Sequence, residues 1–366
     1  MRLPSKLRSL AAMPTASLAI SSAAMVAVVC MVAVGMKTAD ETGAQVGTYA
    51  TQFLSQLDEG QKAKAVMDYD SDKRVEWHFI PKDTRKGLAL REMNEAQRVD
   101  ALRMLRAALS EAGYKKASRI MLMEGLLREL EGKDRRWERD PQKYFVTIFG
   151  TPGDEGKWGL SFEGHHMSMN FSFEAGALVD SSPQFFAANP ATVMNEVPEL
   201  SGKLLPGKGT RILKDEEQLA FDLINSLEGE TKETAIINQD AFDEIRFAGE
   251  AQAAVGEPEG VTYKSLDEDA KSLLEKLVMT YVNVVAEPVA NDRQAIIEED
   301  GWDDVHFAWA GATEPGIGHY YRIRGKRFLI EFVNTQADAA GNPANHIHCV
   351  WRDLSGDFNL EPAAAE

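Results

Sequence analysis

The amino-acid sequence predicts an α+β fold, a single domain in which a largely antiparallel sheet is packed by helices from the first and middle thirds. Three observations predict it. Residues 144 to 173 and 305 to 352 are rich in β-branched and aromatic residues that alternate with polar ones, the period of a strand. Segments between 46 and 130, and again between 215 and 281, carry apolar residues at helical spacing. The two kinds of segment fall in separate stretches, as they do in α+β domains.

The composition supports a large core, with 366 residues of which 44% are hydrophobic and 27% charged. Acids outnumber bases 57 to 40, a formal charge of −17. Such a surface repels phosphates and anionic lipid heads, so a nucleic-acid partner is not expected.

The first 36 residues differ in kind. Arg2, Lys6 and Arg8 precede an apolar run from Leu18 to Met36, and Ala33-Val34-Gly35 offers small residues for cleavage. This is the layout of a signal peptide, and its length also suits an uncleaved N-terminal anchor. Either way the folded part is expected outside the cytoplasm, periplasmic or extracellular, with the membrane touched only through residues 18–36. Cleavage would leave Cys349 as the sole cysteine, with no disulfide available. Residues 37–46 read as a spacer, 47–358 as the domain and 359–366 as a disordered tail.

Along the domain, Phe53, Leu54, Leu57, Ala65 and Val66 recur at helical intervals over 46–67. Val75 to Pro81 alternates and ends on proline, as a short strand would. Asn94-Glu95-Ala96-Gln97 resembles a helix start, with Gly113 as its stop, and a second helix runs from near Ser118 to Gly132. Glu124 within it reads as solvent-facing. Strands follow at Tyr144–Gly150 and Trp158–Phe162, then at Gly164–Phe173, where His166, Ser168, Asn170 and Ser172 share one face. Ser182-Pro183 and Asn189-Pro190 bracket a loop bearing Phe185 and Phe186. Asp215-Glu216-Glu217 opens a helix with acids suited to its dipole. Ser265 to Glu268 has the capping-box pattern of another, which ends before Pro288. Strands at 305–311, 318–325, 328–333 and 345–353 close the chain. No internal repeat stands out, nor a phosphate loop, a nucleophile elbow or a cysteine pair for zinc.

The sharpest chemical signal is Asn345-His346-Ile347-His348. On a strand the two imidazoles project from one face, about 7 Å apart. If 328–333 and 346–351 pair as a hairpin centred near Ala339, Glu331 falls opposite His348. His166 then completes a set of His166, His346, His348 and Glu331 for zinc, copper or iron; imidazole disfavours calcium and magnesium. A lone His-x-His is weakly specific, and packed histidines or a metal-free acid/base cluster read the same pattern. Glu331 and Asp353 are the candidates for catalytic carboxylates. His165, Asn170 and Arg322 are candidates for supporting the ligands or contacting substrate. Cys349 shares a face with Trp351 and reads as buried and inert.

Gly164-His165-His166-x-Ser168-x-Asn170, Phe307-Ala308-Trp309-x-Gly311, Tyr320-Tyr321-Arg322-Ile323, Leu329-Ile330-Glu331-Phe332 and the 345–353 strand together resemble an uncharacterised bacterial and fungal family, domain of unknown function 3500. The resemblance spans residues 47–358 and implies one family domain, often exported, with no reaction attached. The residues themselves lead to two expectations. One is an exported metal-dependent enzyme, hydrolase or oxidoreductase. The other is a non-catalytic secreted binding protein with an aromatic-lined pocket using Trp158, Trp309 and Tyr320. Substrate and oligomeric state are left open.

Overall fold

Both β-rich stretches enter one thirteen-stranded sheet. The computed structural model describes residues 38–133, 135–197 and 205–362; the expected signal or anchor at 1–36 lies outside the described residues. Among those described, no helix is long and apolar enough to cross a membrane.

The first half contains α1 (Ala39–Ser55), α2 (Glu59–Ala65), β1 (Val66–Met67), β2 (Leu88–Ala89), α3 (Glu95–Ala108), α4 (Glu111–Glu131), β3 (Tyr144–Gly150), β4 (Lys157–Gly164), β5 (Met167–Glu174), β6 (Ala177–Asp180) and β7 (Gln184–Ala188). The second contains α5 (Lys214–Ser226), α6 (Gly229–Ala235), β8 (Ile236–Asn238), β9 (Val261–Thr262), α7 (Glu268–Val282), α8 (Glu287–Asp300), β10 (His306–Gly311), β11 (His319–Arg324), β12 (Phe328–Gln336) and β13 (His346–Asp353).

The two lists are the same list, apart from β6. Strand order across the sheet is β1-β3-β4-β5-β7-β13-β12-β11-β10-β8, which reads the same from either edge once each strand is replaced by its counterpart. Registers repeat too. Val66 pairs with Ile148 as Ile236 pairs with Trp309, 161 residues on from Ile148. Leu88 pairs with Val146 as Val261 pairs with Phe307, again 161 residues on. The chain is therefore an internal duplication, contrary to the sequence expectation. Its conserved positions are geometric: Gly87 and Gly260 both take left-handed φ, +95° and +91°. A Cβ there would sit 2.6 Å from the Val146 carbonyl oxygen or 2.1 Å from that of Phe307. Glycine is what lets the strand start so close to its neighbour's backbone.

All paired strands are antiparallel except the β1–β3 and β8–β10 edges. One face is covered by helices, whose Leu105, Ile120, Leu126, Leu223 and Leu277 bury against Ile148, Phe162, Phe173, Ile323 and Phe332. Each such burial stabilises by about 1.5–3 kcal/mol. Side chains one residue out of phase face a second cluster of Phe185, Val333, Val350 and Tyr320. The connections 68–87 and 239–260 cover that face with Trp77, Phe79 and Ile245. Face alternation thus separates a helix-side core from a loop-covered one.

Several local expectations change. Residues 39–46, read as spacer, form the start of α1, capped by Thr38 in a capping box. Asp58 caps a separate α2, so 46–67 is two helices. Gly113 does not stop a helix. Ser110 caps α4 by accepting from the Gly113 amide at 3.0 Å, and a Cβ on Gly113 would lie 2.0 Å from the Val284 oxygen. Residues 75–81 form no strand: Val75 closes a turn, 76–79 are irregular and Ile80 is a bend in the cover. The cap of α7 is Asp267 rather than Ser265, and Pro288 opens α8 instead of only ending α7. The supposed loop at 182–190 contains β7, which joins the two halves by pairing with β5 and β13.

Candidate metal centre

The site forms where the halves meet, on the loop-covered face. His165 and His166 are not strand residues; they make the turn between β4 and β5. His166 takes a left-handed φ of +65°, a conformation costing about 1–2 kcal/mol for a side chain of this kind. The turn is held by three bonds. The Tyr144 hydroxyl donates to the His165 oxygen at 2.7 Å, the His166 amide to the Phe79 oxygen at 2.9 Å, and the Ala187 amide to the His166 oxygen at 2.9 Å. Strain held by such bonds aims the His166 ring across β7 at β13.

From β13, His346 and His348 project to meet it. His346 Nε2 lies 2.9 Å from His166 Nε2 and 3.1 Å from His348 Nε2. These are the ligand atoms of a three-histidine group able to hold a metal ion. The start of β13 is fixed by its neighbours. The His346 amide donates to Asn334 Oδ1 at 2.9 Å, and the Asn345 amide group donates to Asp338 at 2.7 Å.

Burial, then the neighbouring imidazoles, hold His166 and His346 well below the usual histidine range, so both are neutral at neutral pH. His348 Nδ1 lies 2.8 Å from both Glu244 oxygens. The carboxylate only accepts, so Nδ1 is the donor of this pair and Nε2 is the atom turned toward His346. Ring nitrogens this close, 2.9 and 3.1 Å apart, fit hydrogen bonds between the rings and equally a cation held among the three. The three ligand atoms lie within 4.8 Å of one another, and His166, His346 and His348 would together hold an ion bound by imidazole nitrogen. Phe79 and Phe185 contact the His348 ring by edge or tilt, with centroids at 4.9 and 5.6 Å, and shield it from water.

Behind His166, the His165 ring packs at 3.6 Å between centroids. His165 Nδ1 is held by Glu124, and Arg139 lies 2.9 Å from the same atom while gripping Glu131. Glu124 is 3% exposed, which overturns its reading as solvent-facing. Its place between Met123 and Gly125 on the buried side of α4 brings it to the turn.

The other nominated residues lie elsewhere. The hairpin register puts Val333, not Glu331, opposite His348; Glu331 faces Val350. It shares the histidine face but sits one rung away, bonded to the Tyr320 hydroxyl and the Arg246 amide, and is not in the three-histidine group. Asp353 ends β13, accepting from the Ser355 amide at 2.7 Å, five residues or about 16 Å along the strand from His348. Arg322 pairs with Glu259. Asn170 is buried and donates to the Pro183 oxygen at 3.0 Å. Cys349 is buried on the helix side, its thiol pushed up by burial. Trp158 stacks on Phe173 and Trp309 on His319 in the helix-side core, so neither lines a pocket.

Glu244 and Asn189 were missed. Asn189 Nδ2 approaches His346 Nδ1 at 3.4 Å. Glu244 lies in an irregular cover 104 residues before its histidine, and no local pattern marks such a pairing. A carboxylate orienting a metal-binding histidine is worth 10–100-fold in affinity, so Glu244→Gln should weaken zinc binding by about that factor in a competition titration. An unchanged affinity would reduce Glu244 to a surface acid beside the site.

The chain belongs to the DUF3500 family, described as protein of unknown function; the family pattern matches residues 39–360. No curated protein and no solved structure matches the chain.

Proposed function

We propose that this DUF3500 protein is a metal-dependent enzyme whose centre is His166, His346 and His348. The convergence of three imidazole nitrogens, those of buried His166 and His348 and of half-buried His346, with no fourth histidine, cysteine or carboxylate in the group among the described residues, carries the reading. Structural zinc sites close with four protein ligands, whereas catalytic ones keep a position free. A zinc ion supplies Lewis acidity and an acidified water there, while copper or iron supplies redox chemistry. His166 and His346 offer lone pairs without first losing a proton, Glu244 fixes the ring of His348, and Phe79 and Phe185 exclude water from one flank. An all-imidazole set suits zinc and copper, and the neutral ligands leave the ion's full positive charge for substrate. We also infer that the chain works outside the cytoplasm, on the strength of its basic and then apolar N-terminus.

Elemental analysis of protein purified from its native compartment tests the centre. One equivalent of zinc, copper or iron per chain is expected, and the metal found selects the hydrolase or oxidase substrates to screen. No metal, and no uptake from micromolar solution, would end the enzyme reading in favour of a metal-free binding protein.

A further inference from the structure

Beside the His166 turn, a cavity of about 480 Å³ opens among Lys73, His78, Lys82, Arg85, Lys86 and Glu163. Its volume suits a small molecule. Its charge is unusual in so acidic a chain, because four cations face it against Glu163 and Glu76. The deepest three matter most. Arg85, Lys86 and Glu163 have side chains only 3–4% exposed, and both cations share the one carboxylate at 3.5 and 3.2 Å. Their other partners are backbone oxygens: those of His78 and Ile80 for Arg85, and that of Glu76 for Lys86. Carbonyls satisfy donors without cancelling charge, so the trio itself carries one net positive charge, with Glu124 and Glu76 as the further acids that act on its cations. A buried charge in that state is costly, and burial accordingly pulls both Arg85 and Lys86 down from their usual ranges.

None of the three histidines lines the cavity, and it is tied to their centre through the chain. Glu163 lies three residues before His166, and His78 precedes Phe79, whose oxygen accepts from the His166 amide. We propose that this cavity binds the oxyanion of the substrate, a carboxylate or phosphate that neutralises the Arg85–Lys86–Glu163 trio and lays the rest of the molecule toward His166. The substrate class rests on the enzyme reading above; the anion site itself does not.

Calorimetric titration of the metal-free full chain with inorganic phosphate, and in parallel with acetate, tests it at fixed ionic strength and low chloride. Saturable binding of one anion per chain is expected, and a tenfold preference for either names the group. Lys86→Met, which leaves a neutral Arg85–Glu163 pair, should fold with a melting temperature near that of the parent and bind at least tenfold more weakly. Lys82→Glu, at an exposed position on the rim, should weaken binding at least threefold and decides the matter if Lys86→Met fails to fold. His346→Ala/His348→Ala should bind the anion as the parent does, so loss of the metal reading leaves this one standing. Uptake that does not saturate, or isotherms unchanged in both lysine variants, would overturn it.

Discussion

His348→Ala is expected to lower the metal content of the purified protein from about one equivalent to below about 0.1. Replacing residues that merely orient ligands already costs 10–100-fold in affinity, and removing one of three ligands should exceed that, at about 1,000-fold. The loss should be separable from unfolding. His348 is paired with a carboxylate that is about one-third exposed, so the freed Glu244 turns to water and the metal-free variant should melt within about 1 kcal/mol of the metal-free parent. His306→Ala is the control: its ring Nδ1 sits 2.9 Å from the Asp304 oxygen, outside the centre, and its metal content should not change. Retention of metal in His348→Ala would place the ion somewhere other than these histidines. The pH dependence has a definite sign. His166 and His346 are held below their ordinary range in the folded chain, while the unfolded chain protonates them near pH 6.5. The unfolded state therefore binds more protons below that pH, and stability, full above about 6.5, is lost as the pH falls. Metal should deepen the effect, since the ion binds only the neutral rings.

How much of this was legible follows from where each signal lives. Strands at 144–150, 306–311, 319–324 and 328–336 were readable because alternation is a local pattern with period two. The His-x-His pair was readable for the same reason. His166 belongs to the histidine group, though on other grounds than the strand face assigned to it: β5 begins only at Met167, so His165 and His166 form the β4–β5 turn, and the ring reaches His346 on β13 from there. Glu331 failed through register. The ladder pairs Gln336 with His346 and Val333 with His348, so the hairpin is centred beyond Ala339 and Ala340 and Glu331 falls one rung from the position that a centre near Ala339 assigns it. The duplication escaped because it is kept mainly in geometry. Leu57 and Leu227, Lys62 and Lys232, and Ala65 and Ala235 coincide at a spacing of 170, but the strand residues have diverged. The registers show what that divergence achieved. His166 lies three residues beyond Glu163 and corresponds to Arg327, three beyond Arg324. Arg327 is tied up with Asp300 and Glu299. Each half thus retains the scaffold, one half gives a ligand at its turn and the other gives two on β13, and a single centre results.

The largest effect on stability should come from Glu124. Sequence favours a solvent-facing glutamate at that position, where Glu124→Ala would change stability by less than about 0.5 kcal/mol. In the fold the carboxylate is 3% exposed, bonded to His165 and 3.9 Å from Arg139. Removing one member of a buried charged set leaves the others unpaired, at 3–5 kcal/mol in fully isolated cases. Arg139 retains Glu131 at 2.5 Å, so the expected loss is at the lower end, about 3 kcal/mol. A urea transition should move to lower midpoint with an unchanged slope, the mark of altered stability rather than altered compactness. Glu124→Gln keeps the volume and an acceptor for His165, and should cost about 1 kcal/mol. A second reading ties the residue to the centre. His165 lies against the His166 ring at 3.6 Å, and with Glu124 gone that ring loses the support that aims it, so zinc affinity should fall about tenfold even in Glu124→Gln, where the fold is nearly intact. A large stability loss with unchanged affinity would make the Glu124–His165–Arg139 set a structural tie of α4 to the sheet. A loss in both makes it the support on which the strained turn presents His166.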